Sequence, residues 1–139
     1  MRAQGDVKIA TVTDTRVTET LVALENAALV RWCAGDPSGY LEICAADVVY
    51  FDPFLERRLD GKADLTRYYE ALRGKISAER FEIRNPRVQS ASGMAVLTFN
   101  FVSFARDGSE SRWNCTEAYR HEAAGWRIIQ SHWSFARPG

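Results

Sequence analysis

The order of the predicted elements indicates an α+β fold, with three N-terminal helices packed on a strongly curved, mostly antiparallel sheet. Two observations carry this prediction. Apolar residues recur at helical spacing in the N-terminal part of the chain, whereas the C-terminal part alternates as strands do. Helices and strands that are segregated along a chain are typical of α+β domains. A sheet that curves around helices leaves a cone, so we also expect a ligand pocket.

Three helices are predicted from apolar spacing and end signals. The first begins near Asp14 and ends at Gly35, and its periodic apolar positions are Val17, Leu21, Leu24, Ala28 and Trp32. Asp36 and Pro37 are typical of a helix start and predict a short second helix through residue 44. The third helix is expected over residues 61–75, after a charged loop over residues 55–60.

The predicted strands are rich in β-branched and aromatic residues. One lies between the second and third helices, over residues 47–54, and the others follow the third helix over residues 81–88, 94–104, 111–120 and 126–135. Asp107 and Gly108 form a strong hairpin signal between two of them, and Gly125 marks the last turn. The four long C-terminal strands are therefore expected to pair antiparallel.

Length and charge limit the possible functions. We expect residues 14–139 to form a single domain, preceded by a flexible tail over residues 1–13. The 18 basic residues equal the 18 acidic ones, which argues against nucleic acid and anionic membranes as partners. The chain has no apolar stretch of the length a membrane span needs and no apolar core of a secretory signal. We therefore expect a cytoplasmic protein with reduced cysteines.

Asp52 is the strongest functional candidate. The apolar strand before it delivers this carboxylate among aromatic rings, next to Phe51 and Phe54. An ionised group in such surroundings is costly unless it is paired or left partly wet. Asp52 is accordingly either a general base or a carboxylate that caps the loop before Pro53.

Glu117 and Tyr69 complete the candidate catalytic set. Alternation along the strand places Glu117 on a mostly apolar face with Trp113, Cys115 and Tyr119. It is either a protonated acid that donates to a developing oxyanion or the partner of an arginine across the sheet. The candidate ligand-binding residues are Trp32, Tyr50, Phe99, Phe101, Trp113, Tyr119, Ser131 and Trp133. The two histidines are far apart, so neither a metal site nor a cofactor is expected.

The chain resembles the nuclear transport factor two-like superfamily, whose members have a cone-shaped, cystatin-like roll. Within it, the chain is similar to the SnoaL-like domains and the association domain of calcium/calmodulin-dependent protein kinase II. The resemblance covers residues 14–135. The matching segments are Ala34-Gly35-Asp36, Tyr40-Leu41-Glu42-Ile43-Cys44, Phe51-Asp52-Pro53, Gly61, Tyr68-Tyr69-Glu70, Asn85-Pro86-Arg87-Val88, Gly125-Trp126-Arg127-Ile128 and His132-Trp133-Ser134.

Partial similarity to ketosteroid isomerase implies roles for individual residues. Asp52 matches the base of that enzyme, Tyr69 matches a tyrosine of its hydrogen-bond network, and Glu117 lies at or next to its acidic donor. Ala28 stands where the isomerase has its catalytic tyrosine, which argues against the same steroid chemistry. In the kinase domain, arginines line the equivalent pocket. Phe101, Glu117 and Trp133 match them, so this pocket suits neutral or cationic, mostly apolar ligands.

Two kinds of function follow from these features. The first is binding of a small, mostly apolar organic ligand, with or without catalysis by a cofactor-independent isomerase, cyclase or dehydratase that uses Asp52 as base. The second is a homo-oligomerisation module with a vestigial pocket. Trp126, Ile128 and His132 alternate onto the outer face of the sheet, which predicts a homodimer through that face.

Overall fold

A computed structural model describes the backbone of residues 2–137 and the side chains of residues 15–137. Three helices precede most of the sheet: α1 (Arg2–Cys33), α2 (Ser38–Ile43) and α3 (Lys62–Glu70). Six strands follow or separate them: β1 (Cys44–Phe51), β2 (Leu59–Asp60), β3 (Arg80–Ala91), β4 (Met94–Phe104), β5 (Glu110–Glu122) and β6 (Gly125–Phe135). The side chains of residues 1–14, which include the expected tail over residues 1–13, lie outside the part that the structure describes.

The predicted α+β architecture is confirmed. The helices pack on a curved sheet with the strand order β2-β1-β6-β5-β4-β3, in which β3 to β6 pair antiparallel as expected. Strand β1 runs parallel to β6, and this register sets Tyr50 opposite Ser131 and Phe51 opposite His132. The carboxyl end of β1, where Asp52 follows, therefore lies beside the C-terminal half of β6.

Several local predictions match the structure and two differ. Gly108 adopts a positive φ of 89° in the hairpin turn, and Ser109 donates its N–H to Asp107 Oδ1. Helix α3 ends at Glu70 rather than at residue 75, and residues 71–75 form turns instead. The charged loop after Asp52 contains the two-residue strand β2, which pairs with β1 through Val49 and Tyr50.

The predicted outer-face cluster of Trp126, Ile128 and His132 is wrong for two of its members. Ile128 is fully buried and Trp126 packs against the core, whereas His132 is exposed. A bulge explains the difference: Ala118 pairs with Gln130 and Tyr119 pairs with Ile128, so Ile129 is an extra residue in β6. An inserted residue reverses the alternation of side chains, and residues before and after it exchange faces.

Candidate functional site

A cavity of about 470 Å³ lies between the helices and the concave face of the sheet. Its walls come from α1, α2, β1, α3, the segment over residues 76–78 and strands β4 to β6. The lining residues are Leu29, Trp32, Cys33, Tyr40, Tyr50, Asp52, Phe54, Tyr68, Tyr69, Leu72, Ile76, Ser77, Ala78, Phe101, Ser103, Ser111, Trp113 and Trp133. Half of them are aromatic, and Asp52 is the one ionised side chain among them.

Asp52 is held by donors from three sides. Its Oδ2 accepts hydrogen bonds from the Tyr50 hydroxyl at 2.9 Å and the Tyr68 hydroxyl at 2.5 Å. Its Oδ1 accepts the backbone N–H of Phe54 at 2.9 Å, which closes the turn after β1. Asp52 thus does cap the loop at Pro53, and it also presents a partly exposed carboxylate to the cavity.

The tyrosines around Asp52 remain protonated donors. Burial, and next the Asp52 charge, raise the pKa of Tyr50 well above its ordinary value, and the same two causes together with the hydrogen bond to Asp52 raise the pKa of Tyr68. Tyr69 is buried with its ring centroid 5.4 Å from that of Tyr50, and burial raises its pKa as well. Tyr50 and Tyr68 are therefore the two phenol donors on the Asp52 carboxylate, and the ring of Tyr69 packs against both.

Glu117 lies behind the cavity wall, not in it. It is fully buried on β5 opposite Ser131, whose hydroxyl donates to Glu117 Oε2 at 2.8 Å. The Ser131 hydroxyl in turn accepts the indole N–H of Trp133 at 3.0 Å, and Trp133 is a cavity residue. The alternative partners across the sheet were Arg112, Arg120 and Arg127, and none of them holds Glu117. Arg112 pairs with Glu110, Arg120 pairs with Asp47 and Glu122, and Arg127 donates to the Trp126 carbonyl.

The partner of Glu117 is Glu25 on α1, a residue that the sequence reasoning missed. Glu25 is fully buried and accepts hydrogen bonds from the hydroxyls of Tyr40 and Tyr119, the latter at 2.7 Å. Burial, and next the Glu25 charge, raise the pKa of Glu117 well above its ordinary value. Glu117 is therefore the protonated acid that donates to the Glu25 carboxylate. Glu117 Oε1 accepts no hydrogen bond within the described residues, so it is the oxygen available to carry that proton.

The candidate residues thus fall into two groups. Asp52, Tyr69, Trp32, Tyr50, Phe101, Trp113 and Trp133 line the cavity. Glu117, Phe99, Tyr119 and Ser131 do not: Phe99 packs against Trp133, and the other three belong to the buried network around Glu25. The structure therefore does not bring the two candidate acids together: Asp52 lines the cavity, whereas Glu117 lies behind Ser131 and Trp133.

Sequence reasoning also missed Tyr40, Tyr68 and Phe54. Glu25 had a usable signal, since it lies four residues after Leu21 and three before Ala28 on the apolar face of α1. No signal in the sequence places Phe54 at the cavity, because the turn after Asp52 sets its position. It is 68% exposed and its ring contacts Trp113 and Phe135 at the mouth of the cavity.

The family model of the SnoaL-like domain matches residues 24–138. The chain belongs to the SnoaL-like family. Among curated proteins, none matches this chain. In the part of the chain that the structure describes, no helix is long and apolar enough to cross a membrane, and no three His, Cys, Asp or Glu side chains are grouped to hold a metal ion.

Several solved structures are similar to this SnoaL-like chain. A candidate ketosteroid isomerase from Parabacteroides distasonis is 39% identical, with a TM-score of 0.79 over 88% of this chain and 89% of that chain. Two further structures share the fold. A candidate dehydratase from Streptomyces avermitilis is 18% identical, with a TM-score of 0.72 over 89% of this chain and 99% of that chain. The CaMKII hub from S. rosetta is 21% identical, with a TM-score of 0.68 over 85% of this chain and 95% of that chain.

Proposed function

We propose that this SnoaL-like protein binds a small, mostly apolar organic molecule in its cavity and moves a proton on it without a cofactor, as an isomerase, cyclase or dehydratase. Asp52 takes the proton, Tyr50 and Tyr68 hold the carboxylate in place, and Tyr69 packs against both tyrosines. The observation that carries the proposal is a single ionised carboxylate in an otherwise uncharged, aromatic cavity. A positioned base of this kind accelerates proton transfer from carbon.

The likeness to known proteins supports the same reaction class. The relative from Parabacteroides distasonis, described as a candidate ketosteroid isomerase, shares 39% identity over most of both chains. The expected tyrosine of that chemistry is absent, because Ala28 occupies the position on α1 and is buried against Gly39. We therefore assign proton transfer in general to this chain, and not steroid isomerisation.

Three simple ketones test this function. Purified protein is incubated in D₂O with 2-tetralone (proton exchange), cyclohex-3-enone (isomerisation) or 4-hydroxy-4-phenylbutan-2-one (dehydration), and proton NMR follows each reaction. We expect acceleration of at least one of them. Asp52→Asn should lower that rate by about 10²- to 10⁴-fold, the usual contribution of a general base.

Asp47→Asn is the matched control. It makes the same chemical change within β1, the strand that leads to Asp52, but Asp47 is exposed and pairs with Arg120 outside the cavity. Its rate should equal that of the wild type. If Asp52→Asn retains the wild-type rate, the assignment of Asp52 is wrong. If the wild type accelerates none of the three reactions, the catalytic part of the proposal is contradicted and ligand binding alone remains.

A second candidate function is a homo-oligomerisation module, supported by the fold shared with the CaMKII hub. We propose a homodimer through the outer sheet face. There an amide ladder crosses three strands, with Asn85 donating to Asn100 at 3.2 Å and Asn100 to Asn114 at 2.8 Å. Sedimentation velocity at micromolar concentration should show a dimer that Asn100→Asp weakens by like-charge repulsion. A monomeric wild type would contradict this candidate.

A further inference from the structure

The composition of the cavity wall is selective with respect to charge. Nine of its eighteen lining residues are aromatic, one is a carboxylate, and none is Lys, Arg or His. Aromatic rings carry negative potential on their faces and attract cations to within about 6 Å of the ring centre. A cavity with this lining offers an anion no positive partner, whereas it offers a cation several aromatic rings and a carboxylate.

The polar ends of four of these aromatic residues are already engaged. Tyr50 and Tyr68 donate their hydroxyls to Asp52, and Tyr40 donates its hydroxyl to Glu25. The Trp133 indole donates to Ser131 Oγ. What these side chains leave for a ligand is ring surface, and a phenol that donates to a carboxylate has a more electron-rich ring.

Two negative charges act on this space. The Asp52 carboxylate lies in the wall, and the buried Glu25 carboxylate, which accepts the Tyr40 hydroxyl, lies directly behind Tyr40. Arg31 and Arg73, which are next in sequence to the cavity residues Trp32 and Leu72, both pair with Asp36 at 2.9 Å, and Asp36 does not line the cavity. Charges in a poorly hydrated cavity are screened weakly.

A neutral hydrocarbon fits this site less well than a cation does. It would displace water from the partly exposed Asp52 carboxylate and give it no new partner. An ammonium group restores that lost solvation and contacts the rings as well. Methylated ammonium groups match the aromatic walls best, since their charge is spread over an apolar surface.

We propose that the ligand of this cavity is an organic cation, a molecule that bears a tertiary or quaternary ammonium group held by the aromatic wall and the Asp52 carboxylate. The inference rests on the proposed binding function of the cavity and adds the charge of its ligand. The ammonium would lie against the aromatic rings of the cavity, within reach of the Asp52 carboxylate.

A pair of probes of equal shape tests the charge preference. Benzyltrimethylammonium and neopentylbenzene differ only in the exchange of N⁺ for carbon, and phenylacetate serves as the anion. Binding to the full chain is measured at fixed pH and ionic strength by titration calorimetry and by tryptophan fluorescence. We expect the cation to bind about tenfold or more tightly than the hydrocarbon, and phenylacetate to bind most weakly.

Two variants assign the preference to the cavity charge. Asp52→Asn should remove most of the preference for the cation, whereas Asp47→Asn should retain it. Ser111→Lys adds a positive charge at the exposed rim without altering Asp52. It should weaken the binding of benzyltrimethylammonium but not the binding of neopentylbenzene. Ser111→Gln, of similar length and neutral, is its control. These rim variants keep the test decisive should Asp52→Asn fail to fold.

The outcomes separate this inference from the proposed function. If neopentylbenzene binds as tightly as the cation, the charge inference is overturned while ligand binding stands. If neither probe binds, both are overturned for ligands of this size. Loss of cation preference in Asp52→Asn, with the ketone reactions unaffected, would support the ammonium site and contradict Asp52 as the base.

Discussion

Two carboxylate sites of this protein use the same donors in different surroundings. At Asp52, two tyrosine hydroxyls hold a carboxylate that borders the cavity and is partly exposed. At Glu25, two tyrosine hydroxyls and the acid of Glu117 hold a carboxylate that is fully buried. Access distinguishes them: a ligand can reach the first, whereas the second can only support the wall. We therefore expect changes at Asp52 to alter function and changes at Glu25 to alter stability.

Glu25→Leu should give the largest loss of stability. It removes the acceptor of Tyr40, Tyr119 and Glu117 together, and buried donors without a partner cost about 1–3 kcal/mol each. We expect the free energy of unfolding to fall by about 3–5 kcal/mol, because three buried neutral donors lose their acceptor at once. Urea denaturation followed by circular dichroism measures it.

Glu19→Leu provides the control for this change. Glu19 lies on the same helix but is exposed, so the same substitution should alter stability by less than about 0.5 kcal/mol. Equal losses in the two variants would mean that the buried carboxylate does not stabilise the fold.

Glu117→Gln should change how stability depends on pH. The pKa of Glu117 is raised in the folded state, so above its ordinary value of 4.5 the unfolded chain loses a proton that the folded chain keeps. Wild-type stability from this group therefore falls as pH rises, by up to about 1.4 kcal/mol per pH unit, until the folded pKa is reached. A neutral glutamine removes this dependence.

The measurement compares the two proteins from pH 5 upward by urea denaturation. We expect the stability of Glu117→Gln to rise relative to the wild type as the pH increases, and the infrared C=O band of a protonated acid to be lost in the variant. Parallel stability curves, or an unchanged band, would mean that Glu117 is ionised in the folded protein.

The sequence predicted the parts of the site that depend on local pattern. The strand before Asp52, the alternation that buries Glu117 and the aromatic wall of Phe101 and Trp133 all follow from spacing along one element. The Glu25–Glu117 pair depends on a contact between α1 and β5, between residues about two thirds of the chain length apart in sequence. No local rule predicts which buried groups meet at such a distance.

The bulge at Ile129 shows a second limit of pattern reasoning. Alternation along β6 predicts that Ile128 and His132 share the outer face of the sheet. One extra residue between them puts Ile128 on the buried face instead. No glycine or proline marks the position, so nothing in the sequence signals the change of register. The error moved a core residue to the predicted dimer surface, while the residues after the bulge, including Ser131 and Trp133, kept their predicted side.

The smallest expected effect comes from the same substitution made in both regions. Tyr119→Phe removes a buried hydroxyl that donates to Glu25 at 2.7 Å, and Tyr68→Phe removes a half-exposed one that donates to Asp52 at 2.5 Å. We expect a loss of about 1–3 kcal/mol for Tyr119→Phe and below about 1 kcal/mol for Tyr68→Phe, because water replaces the lost donor only at Asp52. Urea denaturation of the two variants measures the difference. Equal losses would show that Asp52 is as inaccessible to water as Glu25, and a carboxylate so enclosed could not exchange a proton with a ligand.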